Sequence, residues 1–120
     1  MIKQVSYQEA MQGFKHIYRM EKLPYTPIKN ATWFADGDIS CAALVRASSS
    51  KARIKGTVVA PEMRGQGYGE QMLLHLIGQA KQDSYKKIEV FTRQKGWYIN
   101  NGFSVDRSTK WGAAVLSRLL

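Results

Sequence analysis

At 120 residues, 44% hydrophobic and 22% charged, the chain has the length and composition of one globular domain (1–120), able to bury a core without covalent staples. No apolar run approaches bilayer-spanning length, and the lone Cys41 excludes an internal disulfide. The net charge of +9 leaves open a merely basic surface, a field that draws a polyanionic cofactor, or a nucleic-acid partner. In chain order, Ile2–Val5 reads as a short strand. Ser6 and Glu9 are spaced as a capping box, and Ala10, Met11, Phe14, Ile17 and Tyr18 fall on one face of the helix that follows, to about Glu21. Pro24 and Pro27 make the next segment irregular. Ala31–Ala35 and Ile39–Ala47 read as strands joined by a turn at Asp36-Gly37-Asp38. After the polar loop Ser48–Lys51, Ala52–Ala60 completes a three-stranded meander.

A glycine-rich basic turn follows, Arg64-Gly65-Gln66-Gly67-Tyr68-Gly69, and then a helix over Glu70–Gln82. Its buried stripe is Met72, Leu73, Leu76, Ile77 and Ala80, with His75 toward solvent. Strand, glycine turn and helix in that order build an anion site, because converging N–H groups meet the positive end of the helix dipole. Lys87–Thr92 alternates as a strand, and a crossover of this length implies parallel pairing with the strand before the turn. Lys95–Asn101 reads as a short helix closed by Gly102 in a left-handed cap. Phe103–Asp106 and Trp111–Ser117 read as two last strands. The order is β-α-β-β-β-α-β-α-β-β, an α/β (α+β) chain with a mixed, mostly antiparallel sheet.

The glycine turn is not a Walker loop, since no Lys-Ser/Thr pair follows Gly69, and the element order is not that of a Rossmann fold. Arg64-x-x-Gly67-x-Gly69, preceded by Val59-Ala60-Pro61, instead resembles the acyl-CoA signature of the GNAT superfamily of N-acetyltransferases. Tyr98-Ile99-Asn100-Asn101-Gly102-Phe103 is similar to that family's C-terminal Tyr-x-x-x-Gly-Phe segment. The resemblance covers Ala31 to Leu120 well and the first 30 residues weakly.

The resemblance implies a GNAT-type sheet whose parallel central pair splays apart, and acetyl transfer from acetyl-CoA (coenzyme A) to an amine by direct attack. It implies that the backbone of Gly65, Gln66, Gly67, Tyr68 and Gly69 holds the pyrophosphate, with glycines 67 and 69 at positive φ. Arg64 adds charge or braces the turn, and the pantetheine arm pairs with Val58, Val59 and Ala60. Lys55 and Arg93 lie where the adenosine phosphate is expected. Tyr98 is the implied general acid, and a backbone N–H near Val59 the oxyanion donor. Glu62 is the candidate base, with Glu89 as the other carboxylate on a core strand; no metal is implied. Cys41 is expected to be a structural thiol. Two departures stand out. Thr92–Trp97 lacks the usual Asn-x-x-Ala contact, and the N-terminal helical wall that shapes the acceptor site is shortened.

The acceptor amine, small-molecule or macromolecular, therefore does not carry over. The alternative is a GNAT-fold protein that acts on or binds nucleic acid or a protein partner through its basic surface. The cations are scattered in small groups (Lys51, Arg53 and Lys55; Lys86 and Lys87; Arg93 and Lys95), without a nucleic-acid-binding motif. The N-terminus lacks the apolar region of a signal peptide, so a cytoplasmic protein without membrane attachment is expected. The apolar C-terminal strands fit either a homodimer interface or a monomer's own core.

Overall fold

In the computed structural model, which describes residues 1–120, the capping box forms as expected. The N–H of Glu9 donates to Ser6 Oγ at 3.0 Å, and the N–H of Ser6 donates to Glu9 Oε1 at 3.0 Å. The chain runs β1 (Ile2–Val5), α1 (Tyr7–Met20), β2 (Ala31–Asp36), β3 (Ser40–Arg46), β4 (Lys51–Val59), a 3₁₀ turn (Pro61–Met63), α2 (Tyr68–Gln82), β5 (Lys87–Thr92), α3 (Lys95–Asn100), β6 (Ser104–Ser108) and β7 (Ala114–Leu119). The strands form one 7-stranded sheet in the order β1-β2-β3-β4-β5-β7-β6. Only β4 and β5 pair in parallel. No helix is long and apolar enough to cross a membrane.

The two long helices cover opposite faces of the sheet. The α1 stripe (Ala10, Met11, Phe14, Ile17, Tyr18) packs on Trp33, Ala35, Cys41, Ala43 and Val58. The α2 stripe packs on Phe34, Ala42, Leu44, Ala52, Ile54, Ile88, Val90 and Leu116. A strand covered on both faces gains by being apolar at every position, which is why β3 reads Cys-Ala-Ala-Leu-Val without alternation.

Several boundaries differ from the sequence reading. Asp36 ends β2 rather than opening the turn, and Lys51 begins β4. The helix after the glycine turn begins two residues early, at Tyr68, and β6 extends to Ser108. The last strand starts only at Ala114: Trp111 lies in the preceding turn, where Gly112 takes φ +84° and the N–H of Thr109 donates to the Ala113 carbonyl at 2.8 Å.

The feature that positions the site is a bulge in β4. Cys41 pairs with Val58 and Ala43 with Lys55, so Gly56 and Thr57 together oppose Ala42. Gly56 takes φ +63°, and its carbonyl accepts the Tyr18 hydroxyl of α1. The extra residue reverses the alternation of the strand. Before it, Ala52 and Ile54 face α2; after it, Val58 faces α1. Parallel pairing of β4 with β5 runs from Lys51↔Lys87 to Ile54↔Val90 and stops there. Beyond the bulge, Val58 and Val59 stay with β3, while Phe91 and Thr92 stay with β7. The central pair opens into a fork.

Below the fork, Glu89 is buried and committed to two cations. Arg53 Nε lies 2.6 Å from Oε1 and Lys51 Nζ 3.3 Å from Oε2. Burial alone would raise this carboxyl, but Arg53 and Lys51 outweigh it and hold it below its ordinary value of 4.5. A depressed carboxylate contributes stability that is present above that value and lost as pH falls through the folded one. Glu89→Gln is expected to cost about 1 to 2 kcal/mol at neutral pH, less in high salt, because both cations are about a third exposed. It should also shrink the loss of stability on acidification, as read from urea midpoints on either side of pH 4.5.

Candidate active site

The fork leads directly into the glycine turn. Pro61 starts the 3₁₀ turn, where a missing N–H costs nothing, and the N–H of Met63 donates to the Ala60 carbonyl at 2.9 Å. Gly65 and Gly67 take φ +76° and +88°, a region that residues with a Cβ rarely adopt. Gly67 caps α2 without a side chain, and the first bond of that helix runs from the N–H of Gln71 to the Gly67 carbonyl at 3.0 Å. The N–H groups of Gly65, Gln66, Gly67, Tyr68, Gly69 and Glu70 have no backbone acceptor. Unclaimed donors at the positive end of a 15-residue helix make an anion cradle.

Gly69 differs from the expectation of positive φ. Its backbone is ordinary, and a Cβ there would stand 3.6 Å from Trp97 Cζ2 and 3.7 Å from Val59 Cγ2. The left-handed positions are therefore 65 and 67, whereas Gly69 brings α2 close to the fork.

Arg64 braces the turn. Its Nε donates to the Val59 carbonyl at 3.1 Å, and its guanidinium pairs with Glu21 at the end of α1. Neither Glu21 nor the contact across 43 residues was visible in the motif itself. Val58 is buried against α1. Both backbone groups of Ala60 are engaged within the chain, its N–H by the Ile39 carbonyl at 2.7 Å and its carbonyl by Met63. Successive N–H groups of a strand point to opposite edges. With the Ala60 N–H aimed at β3, the Val59 N–H aims into the fork.

On the far side, Tyr98 of α3 is 6% exposed and lies edge-on to Trp97 (centroids 4.8 Å, 84°) and Phe103 (5.3 Å, 73°). Burial pushes the phenol above its ordinary value of 10.0, and the neighbouring Thr57 hydroxyl of β4 offsets part of that rise. The phenol is therefore protonated at neutral pH. The structure brings together Val59, Gly69, Trp97, Tyr98 and Thr57 around the fork. Glu62 stands apart, exposed in the 3₁₀ turn with no ion pair. Lys55 and Arg93 are also exposed.

Two other reactive side chains serve the core. Burial pushes the Cys41 thiol up to about 11, so no thiolate forms at neutral pH. His75 lies half-buried against Phe34 at 4.9 Å, and burial lowers its pKa and keeps it neutral. The sequence reading overlooked Trp97 and Thr57. Trp97 adjoins the tyrosine of the second motif, and Thr57 follows a glycine inside a strand, itself a bulge signal.

The model of the acetyltransferase (GNAT) domain family matches residues 29–105. The chain belongs to this family of acetyltransferases. Among curated proteins none matches it in sequence. Solved structures share the fold at low identity. A GNAT family acetyltransferase from Elizabethkingia anophelis with acetyl-CoA bound is 18% identical (TM-score 0.73), covering 100% of this chain and 97% of that one. An IAA acetyltransferase from Bacillus cereus is 18% identical (TM-score 0.79; 100% and 99% covered). N-acetylglutamate synthase from Neisseria gonorrhoeae, complexed with coenzyme A and N-acetyl-glutamate, is 17% identical (TM-score 0.76), covering all of this chain but 35% of that longer one.

Proposed function

We propose that this chain moves an acetyl group from acetyl-CoA to an amine by direct attack, in the cytoplasm and as one catalytic unit. The observation that carries this reading is the run of unclaimed N–H groups from Gly65 to Glu70, opening onto a fork that holds a buried, protonated tyrosine. Gly65, Gln66, Gly67, Tyr68 and Gly69 hold the pyrophosphate, with Arg64 fixing the shape of their turn. Val58, Val59 and Ala60 line the wall for the pantetheine arm. When bound, acetyl-CoA supplies a thioester carbonyl and a thiol leaving group. The Val59 N–H binds the oxygen that gains negative charge, a role supported by its direction away from β3. Tyr98 holds a proton at Oη for a leaving group. Glu62, exposed at the mouth of the turn, takes the proton from the amine through water.

The test is release of free thiol from acetyl-CoA with a panel of amines: amino acids, polyamines, peptide N-termini and lysine peptides. Release that depends on both the protein and one amine class is expected. A protein that binds acetyl-CoA but acetylates none of them would instead have a binding role.

A further inference from the structure

Thr57 is a polar side chain at the fork that the family motifs do not include, and its hydroxyl is unpartnered. Its Oγ1 is buried with no hydrogen-bond partner. A buried hydroxyl left unpaired costs stability, so such a group signals a use. Its direction is set by the bulge. Without the extra residue at Gly56, the alternation of Lys51, Arg53 and Lys55 would continue to position 57 and turn Thr57 away from α3. With it, Thr57 turns to the face of the sheet that also holds Tyr98, and its buried hydroxyl closes no bond in the resting state.

We propose that Thr57 is a positioning residue for Tyr98, its Oγ1–H donating to the Tyr98 oxygen when that oxygen has given up its proton. This rests on the reading of Tyr98 as general acid. The phenol passes its proton to the leaving sulfur and becomes a phenolate in an apolar site. The Thr57 hydroxyl rotates to donate to it, and water later restores the proton. A donor that serves only the charged form stabilises the transition state more than the ground state.

The experiment compares Thr57→Val, which keeps the branched shape but removes the hydroxyl, with Thr57→Ser, which keeps the hydroxyl. Turnover with acetyl-CoA is measured against pH, and the phenol of Tyr98 is titrated by NMR of tyrosine labelled at Cζ, with Tyr98→Phe to assign its signal. Thr57→Val is expected to lower kcat about tenfold or more. It should raise the Tyr98 titration and leave the Kd of acetyl-CoA unchanged, and Thr57→Ser should recover most of the rate. An unmoved Tyr98 titration in Thr57→Val, or equal losses in both variants, would overturn the proposal. If Thr57→Val moves the titration while Tyr98→Phe keeps full activity, Thr57 does hold the phenol, and the general-acid reading is the one that fails.

Discussion

Tyr98→Phe is expected to lower kcat about 100-fold or more while leaving the affinity for acetyl-CoA within about twofold. The phenyl ring keeps the edge contacts with Trp97 and Phe103, so α3 and the fork stay packed. What disappears is one hydroxyl proton at a site where no other acid is buried. The pH dependence separates this from a packing defect. An acid works in its protonated form, below its own pKa, and burial moves the Tyr98 phenol above 10.0. Wild-type kcat should therefore hold through neutral pH and fall only as pH rises through that raised value. The alkaline fall should vanish in Tyr98→Phe. Equal kcat in the two proteins across the range would remove Tyr98 from the chemistry.

Gly67→Val acts on the other half of the site. The position needs φ +88°, and a β-branched residue there costs about 1 to 2 kcal/mol if it holds that backbone. The space around it is open, so the effect is conformational, not a clash. The turn relaxes, the N–H groups lose their convergence, and Kd for acetyl-CoA should rise about tenfold or more, with kcat at saturation little changed. Gly78→Ala is the matched control. It also has open space around it but lies in the middle of α2 with ordinary helical backbone. It should stabilise the protein by about 0.5 to 1 kcal/mol and leave the Kd alone. Calorimetric titration of both variants, with urea midpoints, separates the two effects.

The features legible in the sequence were those with local causes. The Ser6–Glu9 box, the stripes of α1 and α2, the Gly37 turn and the Gly102 cap each depend on neighbours within one or two turns of chain. The parallel crossover followed from its length alone. What escaped was set by register. The Gly56 bulge depends on how β3 meets β4 and on Tyr18, 38 residues away, which supplies the hydroxyl for its carbonyl. The bulge in turn decides which face of the sheet Thr57 takes, and that depends on strand pairing rather than on neighbours in sequence. Trp111 misled for a related reason: an aromatic before apolar residues looks like a strand, but Gly112 at φ +84° turns the chain first, and Trp111 is left 71% exposed. Arg64 allowed either charge or bracing, and only the long-range contact with Glu21 shows it bracing the turn. The acceptor side stayed unreadable because the resemblance is weakest there, over α1 and the segment after it.

The most direct measurement is a calorimetric titration of the wild-type protein with acetyl-CoA, paired with its thermal unfolding. Saturable binding at the glycine turn is expected, with stabilisation of about 2.7 kcal/mol once ligand reaches about 100 times Kd, and with both effects weakened in Gly67→Val. A folded wild-type protein that shows neither heat nor stabilisation up to about 1 mM acetyl-CoA, the upper end of ordinary substrate affinities, would contradict the assignment of this site.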